Sequence, residues 1–143
     1  MAAPGYLASP WPAEDASPLR RQTVPVALGL QPGERLACTS RRTLLSTMTV
    51  LGDPGEVFLL THSALRARLG MPTTACVERI DPVTLRPLAR SVRLKGGPMW
   101  PGGMAVHRNG RLVVVYGRHA HLLDRHCQWI QTRMLPVAQA YNS

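Results

Sequence analysis

Histidines crowd the last third of this 143-residue chain: His119, His121 and His126, with Asp124 and Cys127 beside them and His107 a little upstream. His119 and His121 are two residues apart, so on a strand both imidazoles leave from one face. Two such imidazoles supply half of a tetrahedral zinc site, and Asp124, His126 or Cys127 in the following turn would supply further ligands. The predicted metal set is therefore His119, His121, Asp124 and His126, for zinc or another divalent cation. A plainer account competes with it. Hairpin turns need polar residues in any case, and the related segment earlier in the chain has no histidine there. The balance favours solvated strand and turn residues, and a chain without a cofactor.

A second candidate lies in the loop from Lys95 to Gly103. Trp100 stands between Met99 and Pro101 and is framed by glycine pairs, so Trp100, Met99, Gly102 and Gly103 form a candidate ligand-binding set. Tight chain reversal explains the same glycines, and Trp100 would then cap a core. Catalytic patterns are missing from the sequence. It has no Gly-x-Ser-x-Gly, no phosphate loop and no Cys/His pair at a helix start. Most carboxylates fall at turns (Asp53, Asp81, Asp124), where backbone hydrogen bonding accounts for them. His62 and Ser63 are chain neighbours and face opposite ways on a strand. Binding is expected, without catalysis.

Charge narrows the choice of partner. The formal net charge is +9, carried by 16 arginines and the single Lys95. This excess suggests nucleic acid, but it is spread along the chain, and only Arg20–Arg21 and Arg41–Arg42 are adjacent. Aromatics make up 5% of the residues, too few for a stacking platform. An ordinary solvated basic surface is the preferred reading. No apolar run approaches the ~18 residues of a membrane helix, so no membrane association is expected. Cys38, Cys76 and Cys127 are odd in number and lack a CxxC pair, and the N-terminus has no basic-then-apolar leader. Together these predict a reduced, cytoplasmic chain.

The elements that must position these residues read as strands. Val57–Leu60 and Leu112–Tyr116 are apolar runs too short for helices, predicting strands covered on both faces. The later runs are wetter, interrupted by Arg86, Arg90 and Arg93 in one case and by Gln128, Gln131 and Arg133 in the other. Turn signals separate them: Gly52–Gly55 and Arg108–Gly110, then Asp81–Thr84 and Asp124–Cys127. Asn109–Gly110 predicts a type I′ hairpin with positive φ at both residues. Runs and turns recur in the same order, an internal repeat over 47–95 and 96–136. Ser63–Gly70 predicts a short helical turn ending at Gly70. Residues 1–22 hold four prolines and no period, predicting a flexible arm in which Trp11 is incidental or docks on a partner. Residues 23–46 form an irregular segment with one possible strand at Val24, Val26 and Leu28, and 137–143 is a tail.

The stretches IDPVTLRPLARSVRL and WPGGMAVHRNGRLVVVYG resemble the blades of β-propeller repeat proteins of the YVTN, quinoprotein-like and strictosidine- or lactonase-like kinds. The resemblance covers about 47–136. It implies an all-β chain of about two antiparallel four-stranded blades, an incomplete propeller with a disordered N-terminal arm. Propellers close with about 4–8 blades, so two leave apolar faces and edges to be covered by a protein partner or by self-association. Lactonase-like propellers hold a divalent metal with acids and Asn in the loop opposite the Asn-Gly turn. Here that loop offers no carboxylate. The expected function is thus a non-catalytic binding or protein-interaction module. The alternatives are a fragment or subunit of a propeller enzyme, quinoprotein- or lactonase-like, completed by other blades, and a basic nucleic-acid-associated module.

Overall fold

The computed structural model describes residues 5–16, 22–23, 29, 31–35, 37–42, 46–96 and 103–136. Among them the chain is all-β apart from one helical turn. The first sheet contains β1 (Ser46–Leu51), β2 (Val57–His62), β3 (Thr74–Ile80), β4 (Pro87–Arg90) and β5 (Leu94–Lys95), all antiparallel. β4 and β5 share one edge of β3, the first against Glu78–Ile80 and the second against Thr74–Ala75. They act as one interrupted fourth strand. The second sheet runs β6 (Gly103–Val106), β7 (Leu112–Tyr116), β8 (His119–Leu123), β9 (Trp129–Met134) as an antiparallel meander. The predicted pair of strand quartets is present. The insertion forms α1 (Ala64–Arg68), ending at Gly70 with φ +65°. It is far too short to cross a membrane, and no described helix is long and apolar enough to do so.

The two sheets share a single core. Val50, Phe58, Leu60, Ala75, Val77 and Leu94 from the first meet Met104, Val106, Leu112, Val114, Tyr116 and Leu123 from the second. Alternation along each strand creates this layer, because side chains at every second position point the same way. In β7, Leu112, Val114 and Tyr116 are fully buried while Val113 is 38% exposed. For β7 the expectation of cover on both faces therefore holds on one face only: two sheets make one inter-sheet layer.

The Asn-Gly hairpin also differs from expectation. His107 N–H donates to Arg111 O (2.8 Å) and Gly110 N–H to His107 O (2.8 Å). Gly110 has φ +79°, whereas Asn109 is not in the left-handed region. This is a type I turn followed by one left-handed residue, the three-residue hairpin, and not type I′. Asn109 contributes through its side chain, whose Oδ1 accepts from Arg111 N–H (3.1 Å). Gly55 (φ +85°), Leu85 (φ +57°) and Cys127 (φ +63°) occupy the left-handed position in the other long hairpins.

The N-terminal segment is not a free arm over residues 5–16. Leu7 N–H donates to Val106 O (2.9 Å), Val106 N–H to Pro12 O (2.7 Å) and Arg108 N–H to Gly5 O (2.9 Å). Leu51 N–H donates to Trp11 O (2.7 Å), which ties the segment to the first sheet too. The edge of β6 carries unpaired backbone groups that need partners, and this segment supplies them. Proline removes a donor but leaves the carbonyl, so Pro12 serves as an acceptor. Cys38, Cys76 and Cys127 are free thiols. The strand expected at Val24, Val26 and Leu28 lies outside the described residues.

Candidate functional site

The predicted metal ligands do not converge. His121, on β8, has both ring nitrogens engaged: Nδ1 lies 2.7 Å from Thr132 Oγ1 and Nε2 2.7 Å from Lys95 O. A carbonyl only accepts, so Nε2 carries the hydrogen and the Thr132 hydroxyl donates to Nδ1. No lone pair remains for a metal. Burial holds the His121 imidazole below the usual histidine range, partly offset by its hydrogen bond to Lys95 O, and the neighbouring His119 lowers it further. His119 stacks on it, with centroids 5.9 Å apart and planes at 16°. Asp124 is turned into its own hairpin, where Oδ1 accepts from the N–H groups of His126 and Gln128 (2.8 Å each). Among the described residues no group of three or more His, Cys, Asp or Glu is placed to hold a metal ion. The fold engages the side chains of His121 and Asp124 in hydrogen bonds of its own and does not bring them together with His119 and His126 as one ligand set.

Of the predicted ligand loop, Met99, Trp100 and Gly102 lie outside the described residues. Gly103 begins β6, buried and paired with Val115. Near its start, Gly96 is required by close approach: a Cβ there would lie 2.1 Å from Tyr116 Cδ1 and 2.4 Å from Tyr116 O. The Tyr116 hydroxyl donates to Thr73 Oγ1 (2.7 Å).

Two hollows flank the first sheet's outer edge. A cleft of about 370 Å³ between the sheets is lined by Arg93, Lys95, His119, His121, Trp129 and Thr132. A wider one, about 710 Å³, opens over Cys76, Glu78, Ser91, Arg66, Arg90 and Arg93. In it Cys76 Sγ lies 3.6 Å from Ser91 O and 3.8 Å from Ser91 Oγ, neither of them a base. Glu78 is buried and ion-paired to Arg41 and Arg90 at 2.9 Å each. That carboxylate is neutralised, which suits a structural role.

The turns at Gly52–Glu56 and His107–Arg111 close alike: Gly52 N–H donates to Glu56 O (3.0 Å) as His107 N–H does to Arg111 O. Counting from them places Phe58 and Leu60 at the positions of Val113 and Val115, and Val57 and Leu59 at those of Leu112 and Val114. The capped aspartates Asp81 and Asp124 set the same correspondence on the third strands, Val77 with Ala120 and Ile80 with Leu123. The first sheet turns Phe58, Leu60 and Val77 into the core; the second turns in Leu112, Val114 and Leu123. These are opposite faces of the repeat. The sheets are stacked facing the same way, whereas a two-fold sandwich would bury matching positions from both.

Each outer face therefore matches a face that is buried inside. On the second sheet Ala105, Val113, Val115, Ala120 and Leu122 form an apolar, partly exposed surface. On the first, Val57, Leu59 and Ile80 floor a hollow of about 450 Å³ roofed by Thr39, Ser40 and Arg41. Arg41 Nη1 donates to Glu78 Oε2 (2.9 Å) and to Leu85 O (3.4 Å), which holds residues 39–41 across that face like a strap. Inside, a polar clamp crosses the sheets. Arg125 bonds Glu56 through Nε (3.2 Å) and Nη2 (2.9 Å) and also reaches Asp53, while Arg79 approaches Glu56 at 3.5 Å. Sequence reading missed this clamp, since its partners lie far apart in the chain. No family model, curated protein or solved structure matches this chain.

Proposed function

We propose that the protein is a non-catalytic interaction module: two propeller-like blades that dock a further β-sheet on the open face of the second. The observation that carries this reading is the like-facing stack. A pair of sheets stacked this way leaves the outer face of the second sheet with the same positions that the first sheet buries against its neighbour. Val113 and Val115 stand where Phe58 and Leu60 do, and Val113 is 38% exposed. An apolar face of this kind gains from being covered, at roughly 25 cal/mol per Å² of apolar surface.

The test is a photo-crosslinking residue placed at Val113, with the same residue at Arg108 as a control, in cells that make the protein. Adducts from position 113 and none from 108 support a docking face. Equal adducts from both positions, or none from 113, reject it.

A further inference from the structure

We infer that the sheet docked on this open face is the first sheet of a second copy, so that copies add head to tail through the contact each already makes internally. This rests on the reading of the open face as an interaction surface. The internal contact joins the Phe58–Leu60 face of one sheet to the Leu112–Val114 face of the next. One copy exposes the counterpart of the former at Val113 and Val115, and the counterpart of the latter at Val57 and Leu59. Both halves of one junction are thus present on one molecule, and a heterologous contact follows, closing into a ring or extending.

Two features set its strength. The clamp is not repeated, because Arg111 occupies the position of Glu56 and Pro82 that of Arg125. The contact between copies therefore lacks the ion pairs of the internal one and is weaker, so it depends on concentration. The strap at residues 39–41 also covers the receiving face, held there by the Arg41 contacts to Glu78 and Leu85 O. It stands off the floor and leaves about 450 Å³ beneath it. It must swing aside for a second copy to seat, so Arg41 restrains assembly.

The experiment is light scattering of the purified full chain over a concentration series, with Val113→Arg, Thr49→Arg and Arg41→Ala. Val113 and Thr49 are exposed and lie on opposite outer faces, so each variant blocks one half of the junction and folds; circular dichroism and melting confirm it. Wild type is expected to grow beyond a dimer with concentration. Each arginine variant alone stays monomeric, and a mixture of the two gives a single one-to-one dimer, since each retains the half the other lacks. Arg41→Ala moves the midpoint several-fold lower. Assembly of Thr49→Arg alone would mean a two-fold contact between second sheets and overturns the head-to-tail arrangement. Wild type and Arg41→Ala both monomeric throughout would overturn self-association, while adducts to another protein from position 113 would leave the docking reading standing. An unmoved midpoint for Arg41→Ala rejects the strap's role.

Discussion

His121 shows how a residue chosen for metal chemistry serves the fold. Its imidazole bridges Thr132 on β9 and the Lys95 carbonyl of the first sheet. Burial favours the neutral ring, so the folded pKa lies below that of the unfolded chain. The unfolded state then binds more protons at mildly acidic pH. Stability from this group is complete above the unfolded value, about 6.5, and is lost as pH falls toward the folded one. Melting temperature is expected to drop between pH 7.5 and pH 5, with a shallower drop in His121→Gln. At the hairpin, Asn109→Val loses one side-chain acceptor and costs about 1 kcal/mol. Gly110→Val costs more, because a β-branched residue must adopt φ +79°. Chemical denaturation separates the two, and equal losses would contradict the turn assigned here.

Among the elements, the strand quartets and their turns were legible because period-two alternation and Asp caps are local signals. Asp81 illustrates this: its Oδ1 accepts from the N–H groups of Val83 and Thr84, and those bonds, Thr84 first, hold its carboxyl below the usual range. The burial of β7 was overread, since an apolar run does not reveal how many sheets will cover it. Residues 5–16 were misread for a related reason: proline-rich sequence has no period, yet its carbonyls pair with the edge of β6. For the histidine cluster, spacing shows that His119 and His121 share a face, but not that a carbonyl from the other sheet meets His121. Gly96 carried no legible signal beyond its membership of a glycine pair. Gly96→Ala places a methyl against the Tyr116 backbone, and is expected to cost at least 2–3 kcal/mol in urea titration. A loss below 1 kcal/mol would show that the loop relaxes freely.

For the whole molecule, the shared core and the Arg125 clamp make the two sheets one unit. The hydrogen bonds that Arg125 donates to Glu56 and Asp53 raise its guanidinium above the ordinary range, so it stays charged. Arg125→Ala strips the buried Glu56 carboxylate of its main partner and is expected to destabilise by about 1–2 kcal/mol. Val114→Asp, at the centre of the shared core, should abolish the native state of both sheets together. Near-ultraviolet circular dichroism reads this, and a surviving half-transition would show that the sheets fold separately.

The stitching of residues 5–16 to β6 and β1 makes the start of the chain a removable seal. A protease that clips the chain after residue 16 would strip Val106, Arg108 and Leu51 of their backbone partners in one cut. The raw strand margin left behind is a template for foreign strands. The same cut would open the margins of both sheets at once, since the segment bonds to β6 and to β1.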